Sequence, residues 1–330
     1  MRRALLIGCR THELTGVESD LVRVDAALEL HGFNIRRTIQ GPDATRDGIL
    51  AALRRLIAET ARGDAVLVYY TGHGGLAFNK NAVMPGDGGK PTVAEPRYFQ
   101  YIVPTDHALG NFRGIFSAEL TALVAEVTTI TPNVAVVLDC CHSTGGTLGG
   151  EQITYRARSI PAPWAGDVTR YVAWLRAQGY ALDRRAAIEG NPNAVRLVAC
   201  AANQTAYEYT DARDGSRGGL LTAEFVKILR AERGGELPTW DAVGKEIRER
   251  VPGRRRASGS RAGGRHRRLA APRRGQRRGV AAGQRDPDRR GHARAARRPK
   301  RPCSQLPELR GSIPRDPSGH PCARAARPRA

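Results

Sequence analysis

The chain has 330 residues and a formal net charge of +21, but the charge is not spread along it. Residues 254–330 hold 23 Arg and one Lys against Asp286, Asp288, Glu308 and Asp316, which leaves residues 1–253 with 29 basic and 28 acidic groups. The first three-quarters is thus a near-neutral stretch long enough for one substantial core, with no charge excess to hold a polyanion. No apolar run approaches membrane-spanning length, and Met1-Arg2-Arg3 leads directly into a strand rather than an apolar leader. The six cysteines, Cys9, Cys140, Cys141, Cys200, Cys303 and Cys322, lack metal-type spacing. The first four fall on or beside core strands and read as reduced thiols of a cytoplasmic protein.

In chain order, Ala4–Cys9 reads as a strand. Val17, Leu21, Val24 and Leu28 mark a helix stripe ending near His31-Gly32. Phe33–Thr38 is a second strand, and a helix beginning near Thr45 carries Ile49, Leu53, Leu56 and Ile57 before stopping at Gly63. The run Asp64–Val68 opens a third strand, and Gly86–Pro96 is a Gly/Pro-rich loop before a strand ending at Tyr101–Val103. Ser117, Glu119, Leu120, Leu123 and Val127 give a capped helix, followed by the apolar strand Asn133–Leu138. Thr144–Asn193 lacks strong strand signals and holds an amphipathic segment, Val168–Leu182. A connection of that length usually serves function rather than packing. Val195–Cys200 is another buried strand, and helices follow on Leu220–Leu229 and Thr239–Ile247. Alternating strands and helices call for a mainly parallel sheet covered on both faces, an α/β fold.

Two motifs carry chemistry. Tyr69-Tyr70-Thr71-Gly72-His73-Gly74-Gly75 ends one buried strand, and Asp139-Cys140-Cys141-His142-Ser143-Thr144-Gly145-Gly146 ends another. Parallel strands ending side by side hold His73 and Cys141 over one sheet edge, where open α/β sheets bind ligands. A thiol facing an imidazole is the minimum apparatus for a cysteine nucleophile and its proton acceptor. A cysteine after a buried strand is commonly a core thiol; the upstream His-Gly is what sets Cys141 apart. By strand alternation Cys140 and His142 point away, to structural roles. A carboxylate two residues before the nucleophile, Asp139, projects to the same side of the strand as Cys141. Asp20, behind Ser19, is well placed to cap the following helix.

These motifs resemble the caspase-like cysteine peptidases, in particular metacaspases and their bacterial relatives. Ala4–Gly8, Leu14–Asp20, Tyr101–Asp106 and Leu197–Glu208 are similar to further stretches of that family, and the similarity runs from about Arg3 to about Val251. The resemblance implies a three-layer sandwich around a mainly parallel sheet, with residues 1–253 as the peptidase domain. It implies Cys141 as nucleophile, His73 as acid–base group, and the Gly74 and Cys141 N–H groups as the oxyanion site. Asp139 and Asp20 would then line a pocket for Arg or Lys, where true caspases take aspartate. Arg156 and Arg158, in the long connection after the nucleophile, are candidate self-cleavage sites. Metacaspases often take calcium through an acid-rich cluster; here Asp87, Glu95 and Asp106 are scattered and Asp211 and Asp214 lie on a loop, so calcium stays open but unsupported by the sequence, and no other cofactor is expected. The expected partners are protein or peptide substrates, with no membrane.

The tail is a different material. Of its 77 residues, 54 are Arg, Ala, Gly or Pro, and none is Phe, Tyr or Trp. Such a segment cannot offset the entropy of ordering. It is either a disordered basic tail, able to bind nucleic acid nonspecifically through phosphates, or a GC-rich reading frame translated out of register. Two rival functions remain at this point: an inactive caspase-like scaffold with a disrupted C-terminus, or a nucleic-acid binder acting through the tail.

Overall fold

The computed structural model describes residues 1–80, 96–141, 148–149, 153–160, 165–183, 186, 189–200, 206–231 and 238–250. All of these belong to one compact unit, Met1–Arg274. The boundary at 253, the basic tail, His142, Asp87 and Glu95 lie outside the described residues.

Two strands without a polar face set its centre. β3 (Ala65–Gly72) is buried at every position, and β7 (Asn133–Asp139) at all but its first. With β1 (Arg2–Cys9), β2 (Ile35–Gln40) and β10 (Val195–Val198) they form a five-stranded sheet, in the order β10-β7-β3-β1-β2, with every pair parallel. Side chains alternate across it into two cores. One holds Leu6, Tyr69, Val137 and Leu197 under α1 (Val17–Leu30), α5 (Leu220–Arg230) and α6 (Trp240–Arg250). The other holds Leu5, Ile7, Val68, Tyr70 and Val136 under α2 (Arg46–Glu59) and α3 (Ser117–Ile130). The result is the helix–sheet–helix sandwich that the alternation of strands and helices implies.

Local signals place the helices. Thr45 Oγ1 accepts the Gly48 N–H at the start of α2, and Glu119 accepts the Phe116 N–H at the start of α3. Gly32, at φ +69°, turns the chain after α1. A buried ion pair ties the layers below the sheet: Arg46 bonds Glu119, Tyr171 Oη and, at 2.6 Å, the Gly114 carbonyl. Tyr171 belongs to α4 (Ala165–Ala177), which fills the amphipathic part of the long connection.

Two strand sets depart from the sequence reading. The strand ending near Tyr101–Val103, β5 (Tyr98–Ile102), joins no parallel sheet. It pairs antiparallel with β4 (Gly74–Phe78) and β6 (Ile115–Phe116). The connection after Cys141 also holds strands: β8 (Leu148–Gly149) and β9 (Ile153–Ala157) pair antiparallel with each other, and β9 pairs with β11 (Tyr207–Asp211). β12 (Arg217–Gly219) completes this second sheet. Its members are short, and what makes them strands is pairing with a distant partner rather than local pattern.

Candidate active site

Register fixes the two loops that face each other. Thr71 on β3 pairs with Asp139 on β7, so His73 and Cys141 each lie two residues past a matched strand end. The His73 backbone is pinned: its carbonyl accepts from Tyr70 Oη at 2.7 Å and from the Val103 N–H at 3.1 Å. Gly72 permits the tight approach, since a Cβ there would stand 2.6 Å from Tyr70 Oη. Beyond the turn, the Gly74 and Cys141 N–H groups converge. Both donate to one oxygen, the Arg158 carbonyl, each at 3.0 Å. Cys141 is fully buried, and its Sγ lies 3.5 Å from Cys200 Sγ.

His73 is buried, with its ring edge-on to His12 at 5.5 Å between centroids. Burial pushes its pKa from 6.5 down to about 3; the charges of His12 and Arg158 add to this, and a hydrogen bond with the Arg158 backbone opposes it. The imidazole is therefore neutral while the Arg158 segment covers it.

The Arg158 side chain is itself wholly buried, in a pocket of three carboxylates. Its Nη2 lies 2.6 Å from Asp20 Oδ2 and 3.3 Å from Glu208 Oε2. Its Nη1 donates to Thr71 Oγ1 at 2.6 Å and to the Asp139 carbonyl at 3.2 Å, with Asp139 Oδ2 at 3.5 Å. Burial pushes the Asp20 carboxyl up, Arg158 pulls it down, and neighbouring Asp139 pushes it up again. Gly219 forms the pocket wall because a side chain there would strike Asp139 Oδ2 and Arg158 Nη1.

The backbone around Arg158 is extended and paired on both sides. The Arg158 N–H donates to the Ala206 carbonyl at 3.0 Å, and upstream β9 runs antiparallel to β11, with Arg156 opposite Glu208. Downstream, Ser159 bridges to Gly74, and the Ile160 N–H donates to the Gly74 carbonyl at 3.0 Å. A peptide held by strand addition, with one side chain in a pocket and its carbonyl between two amides, has this layout.

The other expected residues separate clearly. Cys140 faces the opposite core from Cys141, and burial drives its thiol pKa far up. Asp20 caps no helix: it lies inside the first turn of α1 and accepts from Thr71 Oγ1, the Gly219 N–H, Arg23 and Arg158. Asp139 Oδ2 accepts from both the N–H and the hydroxyl of Thr222 at the start of α5, whereas its buried Oδ1 has no hydrogen-bond partner among the described residues. Arg156 reaches the Glu13 carboxylate at 3.2 Å, outside the pocket. Sequence reasoning missed Glu208, which also accepts the Thr15 and Gly16 N–H groups and so fixes the loop leading to Asp20. Its only signal was a lone acid in the alternating run Tyr207-Glu208-Tyr209. His12 was missed as well; its φ of +52° marks it in the backbone but not in the sequence. Among the described residues no group of three or more His, Cys, Asp or Glu side chains is arranged to hold a metal ion, and no helix is long and apolar enough to cross a membrane.

Comparisons place this geometry in context. The family model described as the caspase domain matches residues 1–277. No curated protein sequence matches the chain. Among solved structures, the crystal structure of protein GSU0716 from Geobacter sulfurreducens is similar, with a TM-score of 0.54 at 19% identity over 76% of this chain and 89% of that one. That likeness speaks to the fold. On the family match and the sandwich described above, the chain belongs to the caspase-domain family of cysteine peptidases.

Proposed function

We propose that the protein is a cysteine endopeptidase that cuts after arginine, and less readily after lysine, and that its first substrate is its own Arg158–Ser159 bond. The supporting observation is Arg158 itself, with its side chain among Asp20, Asp139 and Glu208 and its carbonyl between the Gly74 and Cys141 amides. Preference for arginine follows from the fork. Nη1 and Nη2 meet separate sets of acceptors, and a single lysine ammonium cannot reach both.

The chemistry then runs on this chain's own groups. Neutral His73 takes the proton of the Cys141 thiol, and the sulfur attacks the arginine carbonyl carbon. The oxygen gains charge between the two amides, and His73 delivers the proton to the leaving amine. Water, activated by the same imidazole, releases the acyl group from sulfur. External peptides compete with the chain's own segment for the pocket, so the resting enzyme is largely closed to them.

Fluorogenic peptides with Arg, Lys or Asp on the N-terminal side of the cut test the proposal. Turnover is expected in the order Arg, then Lys, with none after Asp, and Asp20→Asn should lower the Arg rate more than Asp139→Asn. Cleavage after Asp, or equal rates for all three, would overturn it.

A further inference from the structure

Cys200 has no part in the peptidase chemistry above, yet it is the sulfur neighbour of Cys141. It stands two residues past the end of β10, and the Ala199 N–H still donates to the Leu138 carbonyl at 3.0 Å, so strand pairing carries on toward both thiols. The two sulfurs are 3.5 Å apart and share one apolar core, whereas Cys140 sits in the other. With strands about 4.8 Å apart and an offset of one residue, their Cα atoms fall about 6 Å apart, inside the range that a disulfide spans.

We propose that Cys200 is a resolving thiol that closes a reversible disulfide onto Cys141 under peroxide and so switches the site off. The Cys141 thiolate attacks one peroxide oxygen, forming the sulfenic acid and releasing hydroxide, which takes up the thiol proton as water. Cys200, giving its proton to solvent, then attacks the sulfenic sulfur. The S–S bond forms as a second hydroxide departs and is protonated to water. The two thiols are oxidised by two electrons, hydrogen peroxide is reduced to two waters, and a dithiol reverses the change. The bond also shields Cys141 from irreversible sulfinic acid. Only the consequence for activity rests on the peptidase reading; the bond itself does not.

The test is peroxide treatment of the full chain, quenching with iodoacetamide and nonreducing tryptic mapping. The expected product joins Gly114–Arg156 to Leu197–Arg213, disappears with dithiothreitol, and accompanies recovery of at least about nine-tenths of the starting turnover. Cys200→Ser should instead accumulate Cys141 sulfinic acid and recover less than about a tenth. A bond confined to Cys140 and Cys141 within one peptide, or sulfinic acid forming equally fast with and without Cys200, would overturn the proposal. The wild-type map, with fragment-ion sequencing to tell Cys141 from Cys140 in the joined peptide, decides the bond if Cys200→Ser fails to fold, and a Cys140–Cys200 bond would overturn the proposal. The same map decides the bond if the protein turns over no arginine peptide.

Discussion

Among the described residues two arginine side chains are buried, Arg46 and Arg158, and they are built to different ends. Arg46 meets one carboxylate, Glu119, with a tyrosine hydroxyl and a carbonyl completing its shell, and it ties helices together. Arg158 meets three carboxylates on three separate elements, and its carbonyl joins two loops at a sheet edge. A buried pair that only holds a fold tends toward charge balance, because excess buried charge is costly. Around Arg158 three acids converge on one guanidinium, with Arg23 reaching only one of them, Asp20. The first is a strut; the second has the character of a receptor with its ligand in place.

The most severe way to break this comparison is at the chemistry beside the receptor. Cys141→Ala should lower turnover by at least about 10⁴-fold, with Cys140→Ala within a few-fold of the wild type; iodoacetamide mapping would show which thiol reacts first. His73→Ala should cost about 10²–10⁴-fold, read in the same fluorogenic assay. A His73→Ala enzyme that keeps full rate would leave the imidazole without a catalytic role.

The comparison sharpens when each arginine is removed in turn. Arg46→Met should cost about 3–5 kcal/mol of stability, since Glu119 then stays buried without its cation, and should not raise turnover. Arg158→Ala strips the cation from three buried carboxylates and should cost at least as much. It should also speed cleavage of external arginine peptides about 10–100-fold, by freeing a site that the chain itself occupies. A melting loss with no gain in rate would make Arg158 a second strut.

A further effect is on pH. Burial holds His73 at about 3 in the fold, against 6.5 when exposed, so the unfolded chain binds that proton first. Stability should therefore fall as pH drops from about 6.5 toward 3, and the His73 contribution should be level above that window. Asp64, pushed up by burial but held at about 2 by Arg3, the N-terminal ammonium and the Ala61 N–H, loses its contribution lower, between 3.8 and about 2. Melting curves of the wild type and His73→Gln across this range should differ in slope only in the upper window.

The two regions were not equally legible in the sequence. The central strands declare themselves: Ala65–Gly72 and Asn133–Asp139 are apolar runs that end in Gly-bearing loops, and their parallel pairing brings His73 and Cys141 level. Asp20 and Asp139 were legible through the family resemblance, although Asp20 serves the pocket and not the helix end. The second sheet was not legible. Ile153–Ala157 holds Thr, Tyr and Arg without a clean alternation, and it is a strand because Tyr207–Asp211 lies beside it, some fifty residues on. Glu208 was hidden for the same reason: a lone acid becomes a pocket wall only once a distant strand is aligned with it. Arg158 was visible as one of two candidate cleavage sites early in a long connection, and only the fold separates it from Arg156.

The central claim is that Arg158 lies where this enzyme cuts. Purified full chain, Cys141→Ala and Arg158→Ala, incubated side by side and mapped by mass spectrometry for new termini, test it most directly. Wild type should yield one end at Arg158 and another at Ser159, and both variants should remain uncut at that bond. Cleavage there in Cys141→Ala, or a wild type that cuts external arginine peptides while its Arg158–Ser159 bond stays intact, would contradict it.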